Sequence, residues 1–283
     1  MSSADGDAVR AVPRFPMRQA AARPVRAGRP QVLLSVRGVT VRFGGIVALD
    51  HVSFDVQVGH ICGLIGPNGA GKTTLFNCLS RLYAIGEGDI LFEGRSLRTT
   101  PVHRIAALGI GRTFQNLALF RTMSVRQNIK VGAHCRTRSG YVANALRLAS
   151  VGREERALDL RATELMDFLG LRPYADTLVV DLPFGIAKRV ELARALAAEP
   201  KLLLLDEPAA GLNHEEIEAL KHTIQDIRGA LGITILLVEH YMNLVMSVSD
   251  RVVTLHFGRK IAEGTPAEVQ NNPDVVRAYL GTG

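Results

Sequence analysis

A chain of 283 residues, 47 % apolar and 22 % charged, has the material for one large buried core or two small ones, which excludes a fibrous or wholly disordered protein. No apolar run approaches the roughly eighteen residues of a membrane-spanning helix, so a membrane role must come through partners. The formal charge of +7 is concentrated at one end, where residues 1–31 set six arginines against Asp5 and Asp7 for a net of +4.

That opening stretch carries Arg10, Arg14, Arg18, Arg23, Arg26 and Arg29 with four prolines, and it lacks the apolar segment of a secretory signal. It reads as a disordered basic tail, a solvated leader with contact to anionic lipid or nucleic acid as the alternative. Residues 33–54 then alternate and turn like an antiparallel strand set broken by Gly44 and Gly45, and Ile61–Ile65 is the continuous apolar run of a strand buried on both faces. Together these imply a mixed sheet. Thr100 and Pro101 open a short helix by the cap and proline-first preferences, Ser124 caps another, and residues 153–169 place apolar side chains at helical spacing. The chain from about 112 to 198 is predominantly helical. Buried-strand character returns at 201–206 and 233–238, on either side of an amphipathic stretch at 214–228. This order describes an α/β core with a helical insertion. Cys62, Cys78 and Cys135 are odd in number and have no metal-ligand spacing, as suits the reduced, mostly buried thiols of a cytoplasmic protein.

Chemistry enters directly after the apolar run that ends at Ile65. Gly66, Pro67, Asn68, Gly69, Ala70, Gly71, Lys72, Thr73 and Thr74 match the phosphate-loop pattern G-x-x-x-x-G-K-[ST] at every fixed position. The glycines let successive backbone N–H groups turn inward on phosphate oxygens, and the following helix adds its positive end. Lys72 supplies a mobile charge for the β- and γ-phosphates, and the Thr73 hydroxyl is a ligand for Mg²⁺. Further on, four leucines run into Asp206 and Glu207, so the carboxylates stand at the mouth of a buried strand. Adjacent strand residues face opposite ways. Asp206 can then serve the Mg²⁺ shell while Glu207 addresses an attacking water as its base.

With both motifs in hand, the chain from residue 32 onward resembles the ATP-binding-cassette (ABC) ATPases. The resemblance implies a P-loop NTPase core with an antiparallel β-subdomain and an inserted helical subdomain at about 112–198, all within one domain spanning 32–283. It implies an adenine-stacking role for Phe43, a Mg²⁺- and water-sensing role for Gln115, and a γ-phosphate contact for His240. It also implies that ATP and Mg²⁺ are bound and that Gly185, in the signature loop, caps the nucleotide of a second chain. The signature here is Leu182-Pro183-Phe184-Gly185-Ile186 in place of the usual Leu-Ser-Gly-Gly-Gln, so a hydroxyl, an N–H and an amide are missing. A helix from about Ala187 to Ala198 follows it. Asn213 replaces the family's commonest aspartate, keeping the hydrogen bonding and losing a charge.

Within the family, the segments 109–116, 206–213, 261–266 and 271–281 are similar to the ATPases of branched-chain and other hydrophobic amino-acid importers. That likeness implies integral-membrane permease subunits as partners, a second ATPase subunit in a homodimer or heterodimer, and indirectly a solute-binding protein. No nucleic acid is implied, and the location is the cytoplasmic face of the membrane. Importers of urea or other small solutes stay open as alternatives, as does a soluble or regulatory ABC ATPase.

Overall fold

A computed structural model describes residues 31–115, 117–136 and 149–280. Of the tail at 1–31, only Gln31 falls among them; its carbonyl accepts the Val58 N–H at 2.9 Å. The hairpin comes first in the chain: β1 (Val32–Phe43) and β2 (Ile46–Gln57) pair antiparallel around Gly44 and Gly45. Beyond β3 (Ile61–Ile65), strands β4 (Glu87–Phe92) and β5 (Arg95–Ser96) extend the hairpin into a four-stranded antiparallel sheet, ordered β2-β1-β4-β5.

β3 belongs to a different sheet, itself mixed, so the hairpin and β3 do not share the mixed sheet read from their sequence, while the separate antiparallel β-subdomain is present. Its neighbours come from far along the chain: β6 (Ile110–Arg112), β7 (Leu202–Asp206), β8 (Thr234–Val238), β9 (Arg251–His256) and β10 (Arg259–Gly264), in the order β10-β9-β3-β8-β7-β6. All pairs are parallel except the β9–β10 edge hairpin. Apolar periodicity reveals that a strand is buried but not which strand it pairs with.

The two-residue alternation of the central strands sorts their side chains into two cores. Cys62, Leu64, Leu202, Leu204, Leu236 and Val238 face α1 (Lys72–Leu79), α2 (Ile105–Leu108) and the antiparallel sheet. Ile61, Ile65, Leu203, Leu205, Ile235 and Leu237 face the opposite way, into the helical side. That side holds α3 (Val125–Gly132), α4 (Ala149–Phe168), α5 (Phe184–Ala197), α6 (His214–Leu231), α7 (Met242–Val248), α8 (Pro266–Gln270) and α9 (Pro273–Leu280). Leu202 to Leu205 are all fully buried, each worth about 1.5–3 kcal/mol relative to exposure. A one-residue slip of β7 would exchange its faces, so the leucines fix where Asp206 and Glu207 emerge.

Ser124 caps α3 through a full capping box, with Gln127 N–H donating to its hydroxyl at 3.3 Å and Ser124 N–H to the Gln127 side chain at 2.9 Å. Two boundaries differ from the sequence reading. Pro101, not Thr100, precedes the 3₁₀ turn Val102–Arg104 that leads into α2. α5 begins at Phe184 with Pro183 as its N-cap, three residues earlier than Ala187, in spite of the low helix propensity of Gly185. Among the described residues no helix is long and apolar enough to cross a membrane.

Candidate active site

Residues 66–71 turn between β3 and α1 in a conformation open only to glycine at its two ends. Gly66 has φ +150°, and a Cβ there would overlap the Leu255 carbonyl oxygen. Gly71, the N-cap of α1, has φ +101°, and a Cβ would lie 2.6 Å from the Ala48 carbonyl of β2. The loop is therefore clamped between both sheets while Asn68, Gly69 and Thr73 stay exposed at its rim. Lys72 folds back beneath it, 5 % exposed, and donates to the carbonyls of Gly66 at 2.6 Å and Pro67 at 2.9 Å. Burial lowers the Lys72 pKa below 10.5, against the pull of Glu207 and Asp206. An ammonium has three donors, so one is left for a ligand oxygen.

At the end of β7 the two carboxylates diverge. Asp206 continues the α1 face of Leu202 and Leu204 and accepts from an Arg112 guanidinium nitrogen at 2.7 Å. Glu207 lies outside the strand in the left-handed region, at φ +48°. It accepts from the Gln115 side-chain amide at 2.7 Å through one oxygen, and its other oxygen is 2.8 Å from His240 Nε2. Gln115 comes from the segment after β6 and His240 from the segment after β8. Three residues singled out separately in the sequence thus meet at one carboxylate.

Phe43 stands apart from this group, at the tip of the β1–β2 hairpin, 46 % exposed. The Tyr83 ring meets it edge-on with centroids 5.1 Å apart, an arrangement that holds the face of Phe43 in place. Gly185 is also separate from the Glu207 group. It lies in the first turn of α5 against the Glu216 carboxylate, while the Phe184 ring packs on Gly211 and under the Lys188 ammonium. Asn213 caps α6 by accepting the Glu216 N–H at 2.9 Å, so the asparagine does the capping work open to aspartate.

Four residues here escaped sequence reading. Arg112 and Tyr83 are two. Glu239 is a third: it is 3 % exposed, and its oxygens accept the N–H groups of Ala209 at 2.6 Å, His240 at 2.9 Å and Tyr241 at 3.2 Å. It joins the segments that follow β7 and β8. Glu191 of α5 is the fourth, accepting the Phe114 N–H at 3.1 Å. Burial raises its pKa, with the Phe114 hydrogen bond acting against the shift. The only sequence signal for either glutamate is a charge inside an apolar run, which becomes informative once its partner's position is known. Tyr279 of α9 also reaches the loop; burial pushes its phenol up to about 12 against a backbone hydrogen bond with Gly66. Burial also raises the free thiols of Cys62 to about 12 and Cys78 to about 11.

A glycine loop opening a helix, a carboxylate-bearing strand beside it and an antiparallel sheet alongside define a P-loop nucleotide-binding protein of the ATP-binding-cassette architecture. Residues 49–210 match the family "ABC transporter", and residues 259–283 match the family "Branched-chain amino acid ATP-binding cassette transporter". The chain is 44 % identical over 252 residues to the high-affinity branched-chain amino acid transport ATP-binding protein LivG of Escherichia coli K12, spanning 89 % of this chain and 98 % of that one. It is 40 % identical over 249 residues to the corresponding BraF protein of Pseudomonas aeruginosa, spanning 88 % and 98 %. A crystal structure of the ADP conformation of an ATP-binding cassette of an ABC transporter superposes with a TM-score of 0.77 at 31 % identity, covering 89 % of this chain and all of the other. The chain belongs to the ABC transporter family of ATP-binding proteins, and it is an ATPase of that type.

Proposed function

We propose that this chain is the ATP-hydrolysing subunit of an importer for branched-chain or other hydrophobic amino acids. It works at the cytoplasmic face of the membrane, bound peripherally to permease subunits and paired with a second ATPase subunit, with a solute-binding protein acting upstream. The observation that carries the catalytic part is the meeting of Gln115 and His240 on Glu207, at the end of a buried strand next to the phosphate loop. The amino-acid substrate is supported by the likeness to LivG and BraF, both branched-chain amino acid transport ATP-binding proteins, and by the match over residues 259–283.

The residues present fit a nucleoside triphosphate. Gly66 and Gly71 leave a side-chain-free cradle, Lys72 retains a donor, and Phe43 offers an open ring face for adenine. They also fit Mg²⁺, a hard cation: Asp206 has one oxygen engaged by Arg112 and a second to offer, and the Thr73 hydroxyl is exposed. Held there, Mg²⁺ would neutralise phosphate charge. The chain's own groups do the rest. Lys72 follows the β- and γ-phosphates. Glu207 gives up its bonds to Gln115 and His240, takes a proton from the attacking water and holds that water in line. His240 turns to the γ-phosphate, and Gln115 reports the change to the helical segment beyond it. That segment, a subdomain running to about 198, moves with the nucleotide state and pushes the permease. Gly185 and the free N–H groups at the start of α5 cap the nucleotide of the second subunit.

The test is uptake in cells lacking this gene and complemented by it. Loss and restoration of leucine, isoleucine or valine uptake supports the reading. Selective loss of urea uptake would transfer the subunit to another importer, and ATP hydrolysis unaffected by co-purified membrane subunits would remove it from transport.

A further inference from the structure

The roles above leave Arg112 unused. It ends β6 on the face that looks at α1, and its side chain is 10 % exposed. One guanidinium nitrogen donates to Asp206 Oδ2 at 2.7 Å. The other donates to Asn77 Oδ1 at 2.9 Å, the Ser80 hydroxyl at 3.0 Å and the Phe76 carbonyl at 3.3 Å, all at the far end of α1. The Phe76 and Phe114 rings flank the guanidinium with centroids 5.6 and 5.3 Å from its carbon. Its Nε has no partner among the described residues. A buried ion pair with an unsatisfied N–H is a poor device for stability, since apolar packing in its place is often as stable or more so. A planar fork does what neither apolar packing nor a lysine can do: it fixes the orientation of one carboxylate against one helix end.

We propose that Arg112 is a positioning residue for the metal carboxylate. By holding Asp206 Oδ2 against the end of α1, it determines which oxygen is left for Mg²⁺ and ties that oxygen to the helix whose first turn carries Thr73. This rests on Asp206 being the Mg²⁺ carboxylate. It extends to Gln115 as well, because Phe114, the residue before it, covers the same guanidinium.

ATP binding measured calorimetrically, in EDTA and then in graded Mg²⁺, tests the idea without recourse to turnover. Arg112→Lys keeps the charge and gives up the fork. Its ATP affinity in EDTA should stay near wild type while the half-saturating Mg²⁺ concentration rises by about 10–100-fold, the usual effect of losing a group that orients a metal ligand. The double variant Asn77→Ala/Ser80→Ala leaves both charges intact and should move the Mg²⁺ requirement the same way by less. A melting-temperature loss with equal weakening in EDTA and Mg²⁺ marks a structural role, and wild-type Mg²⁺ dependence in Arg112→Lys marks charge alone; either overturns the proposal. Asp206→Asn separates it from the reading on which it rests. If that variant loses its Mg²⁺ response while Arg112→Lys keeps the wild-type one, positioning fails alone; if Asp206→Asn keeps the response, the metal assignment falls and the proposal with it.

Discussion

Glu207 is the residue on which the site turns, and its backbone carries a cost. A non-glycine residue at φ +48° is strained, at about 1–3 kcal/mol, and here the Glu207 N–H bond to Val238 at 2.9 Å and the two side-chain bonds hold it there. In Glu207→Gln the amide can still orient a water but cannot take its proton. Phosphate release should fall about 10²–10⁴-fold while ATP binding persists; turnover at the wild-type rate would move the base elsewhere, with His240 next. Lys72→Ala removes the loop's mobile charge, whose proposed contact with phosphate would be worth about 1.5–3 kcal/mol, so ATP titration should show tight binding lost. Unchanged affinity would detach Lys72 from the nucleotide. Residues with a local signature were legible in the sequence: the phosphate loop and the leucine-led Asp206-Glu207 pair are contiguous patterns. Arg112 was not, because its partner is 94 residues away, and neither was Glu239, whose value lies in joining two loops that adjoin only in the sheet.

Between elements, glycine shows most clearly what position demands. Gly71 and Gly94 both have left-handed backbones, at φ +101° and +77°, but a Cβ on Gly71 meets Ala48 and Leu49 of β2 whereas one on Gly94 meets nothing within 4 Å. Gly94→Ala should therefore cost only the backbone strain, about 1–2 kcal/mol, with ATP binding intact. Gly71→Ala carries the same strain plus displacement of α1 from β2, so ATP binding should be lost along with a larger fall in melting temperature. Equal behaviour of the two variants would show that the loop does not depend on its packing against the antiparallel sheet. Element types were readable because caps and periodicity are local, as Ser124 and the buried leucines show. The separation into two sheets was not, since β3 takes its partners β8 and β9 from more than 150 residues away. The start of α5 was misplaced for a related reason: a glycine-containing signature looks like loop until a proline cap sets its first turn.

At the scale of the whole molecule, residues 1–30 and the second ATP site pose the remaining questions. The apolar residues of the stretch 1–30 are mostly alanines, with few large side chains to offset the entropy of ordering it, so its deletion should leave melting temperature and ATP hydrolysis unchanged; a large drop in either would mean it packs on the core. In the proposed assembly the pairing of two chains depends on α5. With Pro183 as N-cap, the first-turn N–H groups of Phe184, Gly185 and Ile186 receive no side-chain cap bond. The helix end can still attract a phosphate, but the missing hydroxyl and amide each forgo a hydrogen bond worth on the order of 1 kcal/mol. The isolated chain should accordingly be mostly monomeric and a slow ATPase, and membrane subunits should restore activity by raising the local concentration of the second cassette. A partner cassette with a fuller signature would make the sites unequal, the faster one combining this chain's phosphate loop with the partner's signature. The decisive measurement is the ATP-dependent dimer fraction, by size-exclusion chromatography with light scattering, of Glu207→Gln with and without Pro183→Ser/Ile186→Gln. The added groups should lower the dimer dissociation constant read from that fraction about tenfold or more if each contributes its full bond. No gain would mean that the helix end and Gly185 already suffice, and that what limits the pair lies outside the signature.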